Sequence, residues 1–99
     1  MLGKYQKEID DQFKKESWDY WPPLSQFARL AEETGEVARV MNAMFGKKTK
    51  KASEEDQELG EELADVIFTC ICIANSQKID LDPALRKVIE KGPKRNKDR

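Results

Sequence analysis

The sequence predicts an all-α fold of four helices, and both its composition and the spacing of its apolar residues support this prediction. Leu, Ala, Glu and Lys are abundant, whereas the 99 residues include only 5 Gly and 4 Pro. These abundant residues favour helices, and a β-rich fold would need more turn residues. Apolar residues recur at three- and four-residue steps through most of the chain, which is typical of helices with one buried face.

The first helix is expected over about residues 2–16, where the apolar stripe is narrow. Tyr5, Ile9 and Phe13 follow one another at four-residue steps among charged residues. Such a stripe predicts a helix that covers a core built elsewhere. The consecutive prolines 22 and 23 then interrupt the pattern, because proline lacks a backbone donor and restricts the residue before it.

The second helix is expected to begin near residues 24–26, with Ser25 as its N-cap, and to end at Phe45 before Gly46. A lysine-rich loop follows at residues 47–51. One apolar face of this helix is predicted to contain Phe27, Leu30, Val37, Met41 and Met44.

The third helix is expected over about residues 54–75. Its segment VIFTCICI is β-branched enough to suit a buried strand, but the acidic stretch before it contains no turn signal and helical spacing continues through it. Cys70 and Cys72 are interpreted as core residues, because free cysteine is often buried. The segment from Phe68 to Ile73 is apolar nearly all round, which indicates a subunit interface.

The fourth helix is expected to begin with Asp82 as its cap and Pro83 at its first turn, and to end at Gly92 and Pro93. A basic tail, about residues 93–99, should lack fixed structure unless a ligand holds it. Residues 1–99 are therefore predicted to form a single domain. A bundle of this size leaves apolar surface uncovered, which favours a homodimer or homotetramer.

Charge and residue usage exclude several classes of function. The net charge is −1 and no basic face is evident, which argues against nucleic acid as a partner. We expect no membrane association and a cytoplasmic location, because the apolar run 66–74 is short and the N-terminal residues do not resemble a signal peptide. With no histidine, His-based catalysis and His-containing zinc sites are excluded, so metal chemistry must use carboxylates.

Two pairs of acidic residues border the apolar faces of the second and third helices. Glu33 and Glu36 lie one helical turn apart on the second helix. Glu62 and Asp65 have the same spacing on the third. If the helices pack antiparallel through these faces, four carboxylates converge and their mutual repulsion requires a cation. Oxygen ligands select hard cations, so the pattern predicts a Mg²⁺ site, with Mn²⁺ as the alternative.

A competing interpretation is a non-catalytic helical interaction module with solvated acidic faces. Acids at helical spacing are common on exposed surfaces, and either pair alone would favour this interpretation. The occurrence of both pairs beside apolar stripes favours the metal site.

The two acidic segments, EETGE and ELAD, resemble the EExxE…ExxD signature of the MazG-like nucleotide pyrophosphohydrolases. The wider strings SQFARLAEETGEVARVMN and GEELADVIFTCICIAN are similar to that family too, as is IDLDPALRKVIEK. The phosphoribosyl-ATP pyrophosphohydrolases share the all-α architecture, but no residue pattern favours them here. The resemblance implies a four-helix MazG-like bundle that hydrolyses a nucleoside triphosphate between its α- and β-phosphates, with Mg²⁺, in a housekeeping or damaged-nucleotide role.

The resemblance also implies roles for individual residues. The metal ligands become Glu33, Glu36, Glu62 and Asp65. Glu32 becomes the candidate to orient or deprotonate the attacking water, or to bind a second metal. Trp18, and after it Trp21, would stack on the nucleobase, although either could simply cover the core. Phosphate contacts would come from Lys87, Lys91, Lys94 and Arg95, for which a solvated tail is the alternative. The lysine loop 47–51 would close over phosphates or have no role.

Overall fold

The computed structural model describes residues 1–46 and 52–97, with side chains described for residues 1–46 and 58–94. The all-α prediction is confirmed, because every regular element within these ranges is a helix. The segment VIFTCICI is helical and not a strand. The helices are α1 (Leu2–Lys15), α2 (Pro23–Phe45), α3 (Ala52–Ser76) and α4 (Leu81–Lys97). None of these helices, in the part of the chain described, is long and apolar enough to cross a membrane.

The chain forms two compact units. The middle unit is Trp21–Ile73 and contains α2 and most of α3. The terminal unit is Met1–Tyr20 together with Ala74–Arg99, and contains α1 and α4. The candidate acidic residues all belong to the middle unit, whereas the predicted basic substrate contacts belong to the terminal unit. The predicted single domain stays a prediction.

The start of α2 differs from the expectation. The helix begins at Pro23 with Pro22 as its N-cap, and the amide of Gln26 donates to the carbonyl of Pro22 at 3.0 Å. Ser25 therefore lies inside the helix, and its predicted capping role is wrong. Proline suits the first helical position because its φ is already helical and its missing N–H would have no intrahelical partner.

The buried face of α2 matches the predicted face in part, because Leu30, Val37 and Met44 are half-buried but Phe27 and Met41 are exposed. Gln26, Glu33 and Val40 are buried at seven-residue intervals, whereas Phe27 is 67% exposed and Met41 is 45% exposed. Seven residues are close to two helical turns, so these three side chains form one stripe. The stripe includes a glutamate, and this placement brings a carboxylate into the least accessible part of the helix surface.

Helix α3 begins at Ala52 and buries Thr69, Ile71 and Ala74. Cys70 is exposed, so its prediction as a core residue is wrong, while Cys72 is half-buried. Burial raises the pKa of the Cys72 thiol to about 11. The half-buried thiol is therefore un-ionised at neutral pH and packs as a small apolar side chain.

Helices α1 and α3 end in the same way. After α1, the amides of Trp18 and Ser17 donate to the carbonyls of Phe13 and Lys14 at 2.8 and 3.2 Å. After α3, the amides of Ile79 and Lys78 donate to the carbonyls of Ala74 and Asn75 at the same two distances, 2.8 and 3.2 Å. This pair of bonds defines a Schellman motif. Each motif requires a left-handed residue, and the two positions are occupied by Ser17 at φ 59° and Lys78 at φ 57°.

Helix α4 corrects the predicted cap and the predicted end. The helix begins at Leu81, and the carboxylate of Asp80 accepts the amide of Asp82 at 3.1 Å, so Asp80 is the cap. Asp82 instead accepts the amide of Gly3 at 3.1 Å, and a Cβ on Gly3 would meet this carboxylate at 2.7 Å. Pro93 lies inside the helix, which continues to Lys97, so the predicted stop at Gly92 and Pro93 is wrong.

Polar side chains connect the segments of the terminal unit. The Asn75 amide nitrogen donates to the carbonyl of Gln6 and to the hydroxyl of Tyr20, both at 3.0 Å, and its oxygen accepts the Gln6 amide at 3.1 Å. The Tyr20 hydroxyl donates to Asp10 at 2.8 Å, and Asp10 also accepts Lys14 at 2.9 Å. Each donor in this network meets an acceptor, so it needs no ligand to complete it.

Candidate metal centre

Three carboxylates converge in the middle unit. Glu33 from α2 and Glu62 and Asp65 from α3 each offer an oxygen atom, and these oxygens lie within 4.8 Å of one another. Glu33 is buried at 7% exposure, Glu62 is partly buried and Asp65 is exposed. The group therefore opens from a buried carboxylate towards solvent.

The pairing of α2 with α3 explains this convergence. Glu33 lies beside Glu62 and Asp65, whereas Arg39, further along α2, reaches back to Glu58 on α3 at 3.0 Å. Positions that advance along α2 thus meet earlier positions of α3, which is the antiparallel arrangement.

The three-residue spacing on α3 places Glu62 and Asp65 on one side of that helix.

Burial and neighbouring carboxylates both act on Glu62. Partial burial, and after it the carboxylates of Asp65, Glu36 and Glu33, raise the pKa of Glu62 above its ordinary value. Both causes disfavour the ionised form of Glu62. A cation within the cluster would remove this penalty, because it replaces repulsion between carboxylates with attraction to a shared charge.

Glu36 lies close enough to affect Glu62 but is held outside the group of three. Its carboxylate accepts Arg39 Nε at 2.9 Å, and the same guanidinium bonds Glu58 at 3.0 Å. These two acids raise the pKa of Arg39. The structure thus brings together three of the four predicted ligands, and the fourth is engaged by an arginine one turn away.

Arginines near the acids are the functional candidates that sequence reasoning missed. Arg29 Nε donates to Glu33 Oε1 at 2.8 Å, and its guanidinium carbon lies 6.0 Å from the centre of the Trp21 ring. Arg29 and Arg39 stand four residues before Glu33 and three residues after Glu36. A spacing of three or four residues suits ion pairs on a helix, and this spacing could have identified both arginines from the sequence.

The donor set suits a small divalent cation. It consists entirely of carboxylate oxygens, which is the ligand type that Mg²⁺ and Mn²⁺ prefer. Three convergent carboxylates leave coordination positions for water or phosphate oxygens, as Mg²⁺ sites usually do. Exposed Asp65 lies at the open side, where a substrate could approach.

The remaining predicted residues of the middle unit and the aromatic connector are placed as follows. Glu32 is exposed on α2 and, within the described residues, is not part of the carboxylate group. Trp21 is 55% exposed and contacts Arg29. Trp18, in the terminal unit, packs edge-on against Phe13 with ring centroids 5.6 Å apart. The contact with Phe13 is the apolar contact that accompanies a Schellman motif, so Trp18 has a structural role at the end of α1.

The predicted phosphate contacts lie on α4 in the terminal unit. Lys87, Lys91 and Lys94 are exposed. Arg95 lies within α4, but its side chain is outside the described part, as is the whole lysine loop 47–51. The role of these basic residues stays a prediction from the resemblance.

An all-α protein that gathers carboxylates from two antiparallel helices has a donor set that suits a divalent cation. Comparison with known proteins specifies the class further. The family model of the MazG nucleotide pyrophosphohydrolase domain matches residues 22–99. The chain therefore belongs to the MazG nucleotide pyrophosphohydrolase family, and it is a hydrolase of the nucleotide pyrophosphatase kind.

Relatives from Bacillus subtilis strain 168 agree with this placement. The uncharacterised protein YpjD is 44% identical over 94 residues, covering 95% of this chain and 85% of YpjD. The uncharacterised protein YvdC is 30% identical over 100 residues, covering 95% of this chain and 94% of YvdC. The crystal structure of YpjD, for which pyrophosphatase activity has been suggested, matches with a TM-score of 0.77 and 38% identity. That match covers 92% of this chain and 91% of YpjD.

Proposed function

We propose that the protein is a Mg²⁺-dependent pyrophosphohydrolase that cleaves a nucleoside or deoxynucleoside triphosphate between its α- and β-phosphates. The products are the nucleoside monophosphate and pyrophosphate. The observation that carries the proposal is the convergence of Glu33, Glu62 and Asp65, whose oxygens lie within 4.8 Å of one another. Family membership supports the nucleotide substrate. Mn²⁺ is the alternative cation, and the cytoplasm is the expected location.

In this proposal, Glu33, Glu62 and Asp65 would hold the cation, and Glu36, which accepts a hydrogen bond from Arg39, would be the fourth ligand. A bound divalent cation supplies positive charge that offsets the phosphate charge and makes water a better nucleophile. Glu32 orients or deprotonates the attacking water from the exposed side of α2. The carboxylates fix the direction of attack, because positioning is the main contribution a protein makes to phosphoryl chemistry.

The nucleobase and the phosphates require further contacts. Trp21 is our candidate to stack on the base, because it is 55% exposed and belongs to the same unit as the carboxylates. Trp18 is the second candidate, although it already contacts Phe13. Lys87, Lys91, Lys94 and Arg95 are proposed to contact phosphate oxygens as charge-assisted donors.

The reaction products test the proposal. A panel of canonical and modified nucleoside triphosphates is incubated with enzyme and Mg²⁺, and the products are separated by chromatography. We expect monophosphate and pyrophosphate in equal amounts, with no accumulation of diphosphate. In ¹⁸O-labelled water, the label should enter the monophosphate if the α-phosphorus is attacked. Release of orthophosphate and nucleoside diphosphate as primary products would contradict the proposal.

We further propose that a second copy of the chain covers the exposed apolar side of α3, giving a homodimer or homotetramer. The support is exposure: Leu63 is 47%, Ile67 is 52% and Phe68 is 43% accessible. Within the predicted interface segment Phe68–Ile73, however, Ile71 is only 2% accessible and packs inside the chain. Large apolar side chains grouped on one helix favour association. Sedimentation equilibrium at micromolar concentration should show at least a dimer, and Ile67→Glu should shift the species towards monomer. A stable wild-type monomer would exclude this assembly.

A further inference from the structure

Arg29 lies between an aromatic ring and the most buried carboxylate of the acid cluster. Its guanidinium carbon is 6.0 Å from the centre of the Trp21 ring, and its Nε donates to Glu33 Oε1 at 2.8 Å. The Glu33 side chain is only 9% exposed, whereas that of Arg29 is 49% exposed. A solvent-accessible cation thus neutralises an almost inaccessible anion.

Arg29 and a metal in the cluster would compete for the negative charge of Glu33. A divalent cation held by Glu33, Glu62 and Asp65 uses the negative charge that Arg29 now neutralises. The guanidinium and the metal would then be two positive charges at one carboxylate, and they repel each other. The repulsion would weaken the bond from Arg29 to Glu33 when the metal binds, because both cations draw on the charge of one carboxylate.

We propose that Arg29 is a displaceable counter-cation of the acid cluster, which turns to the phosphate chain of the substrate when a divalent cation takes over Glu33. This inference rests on the proposed function. In the metal-free protein Arg29 offsets the charge of the buried carboxylate. In the loaded protein the same guanidinium is a phosphate contact at the edge of the metal site.

The local chemistry suits both positions of Arg29. A guanidinium binds carboxylate and phosphate with the same planar array of donors, so exchange of one anion for the other preserves the geometry. The Trp21 ring attracts the guanidinium through its face and keeps it beside the site after Glu33 is released. Exposure of the Arg29 side chain leaves room for this movement.

The first experiment measures metal affinity without substrate. Mg²⁺ or Mn²⁺ is titrated into wild type, Arg29→Gln and Arg29→Lys by calorimetry. Removal of the competing cation should tighten metal binding in Arg29→Gln by about three- to fivefold, the upper range of what a partly exposed ion pair contributes. Arg29→Lys keeps the charge and should remain near wild type. Unchanged or weaker metal binding in Arg29→Gln would overturn the proposal.

Lys7→Gln is the matched control for the metal titration. Lys7 forms an exposed i,i+4 ion pair with Asp11 at 2.7 Å in the terminal unit. The substitution removes one positive charge, as Arg29→Gln does, but leaves the acid cluster intact. Metal affinity should be unchanged in Lys7→Gln. An equal gain in both variants would assign the effect to net charge and would count against Arg29 as a specific competitor.

The second experiment follows Trp21 itself. In a Trp18→Phe background the remaining tryptophan fluorescence comes from Trp21, the ring that Arg29 contacts. Metal alone should change its emission as the guanidinium changes partners. The change should be absent when Arg29→Gln is added. A metal response of equal size in both proteins would contradict movement of Arg29.

The third experiment tests the loaded position with inorganic pyrophosphate. In saturating Mg²⁺, Arg29→Gln should bind pyrophosphate about tenfold more weakly, since a charge-assisted hydrogen bond is lost, and Arg29→Lys should recover part of the affinity. Equal affinity in wild type and Arg29→Gln would refute the phosphate contact. Failure of the proposed function is distinguishable, because wild-type enzyme would then release no pyrophosphate from any triphosphate.

Discussion

The two units of the molecule satisfy their polar groups in opposite ways. In the terminal unit, Gln6, Asn75, Tyr20 and Asp10 form a network in which each donor meets an acceptor. In the middle unit, acids of the same charge face one another, and their repulsion contributes to the raised pKa of Glu62. The terminal unit thus pairs donors with acceptors, whereas the middle unit brings carboxylates together.

This contrast distinguishes a structural network from a ligand site. Complementary donors and acceptors stabilise the fold that contains them, so removing one of them should lower the free energy of unfolding. Convergent like charges destabilise the fold unless a cation binds. Removing one of them should therefore lower activity without lowering the free energy of unfolding. Variants in the two units should therefore separate activity from stability.

The largest effect is expected for Asp65→Asn in the middle unit. Metal-dependent turnover should fall by more than about 100-fold, which is the upper range for residues that only orient metal ligands. In the absence of metal, the free energy of unfolding should not decrease, because one member of a repelling group has been neutralised. Steady-state kinetics at saturating Mg²⁺ and urea denaturation measure the two quantities.

Glu61→Gln is the matched control for this prediction. Glu61 is an exposed neighbour on α3 and carries the same type of charge. Its substitution should leave turnover within about twofold of wild type, as is usual for surface changes. Near wild-type turnover in Asp65→Asn would remove the distinction between the two units.

The next largest effect is stabilisation by the cation itself. A ligand that binds only the folded state adds about 2.7 kcal/mol at 100 times its dissociation constant, so Mg²⁺ should raise the melting temperature of the wild type. Glu62→Gln should abolish most of this increase while retaining helical circular dichroism. An equal Mg²⁺ response in wild type and Glu62→Gln would place the cation elsewhere.

A smaller effect, and on stability alone, is expected for Tyr20→Phe in the terminal unit. The phenylalanine keeps the stacking on Phe13, whose ring centroid lies 4.4 Å away, but loses the bonds to Asp10 and Asn75. Because Asp10 keeps its bond to Lys14 and Asn75 keeps its bonds to Gln6, we expect only the ordinary loss for hydrogen bonds, about 0.5–1.5 kcal/mol in urea denaturation. The affinity for Mg²⁺ should not change. A change in metal affinity would show that the network also belongs to the site.

The smallest effect is the pH dependence contributed by Asp10. Hydrogen bonds from Lys14 and then from Tyr20 lower the pKa of its carboxyl below the ordinary value of 3.8. Because the folded-state pKa is depressed, this stabilisation is present above pH 3.8 and is lost as the pH falls through the folded-state pKa. Asp10→Asn should therefore cost less than about 1 kcal/mol at neutral pH, as for a mostly exposed pair. The difference in stability between the two proteins should shrink as the pH falls below 3.8 and through the folded-state pKa of Asp10.

The helices were predictable from the sequence because apolar periodicity extends through all of them. The ends of the helices were less predictable. Pro22 and Pro23 were interpreted as a break, although proline at the first turn begins α2. Gly92 and Pro93 were interpreted as a stop, although α4 continues to Lys97. A local residue signal has more than one structural outcome, and the choice depends on tertiary contacts that a single sequence does not contain.

The acidic residues could be selected from spacing, because residues three apart share a helix face and the resemblance named the same positions. Which carboxylates actually meet could not be deduced. Glu36 instead bonds Arg39, and Glu33 bonds Arg29. Side-chain competition between a neighbouring carboxylate and a neighbouring arginine depends on distances of a few ångströms. Spacing on a helix specifies the face and not these distances.

The left-handed residues that end α1 and α3 have a consequence for evolution and engineering. Ser17 at φ 59° and Lys78 at φ 57° adopt a conformation that glycine accepts without strain. Ser17→Gly and Lys78→Gly should each raise the free energy of unfolding by about 0.5–1 kcal/mol, in the range of other single stabilising substitutions. A protein with this additional free energy of unfolding tolerates more destabilising substitutions before it unfolds. The double glycine variant is therefore a suitable parent for libraries that diversify Trp21 and its surroundings in search of new nucleotide specificity.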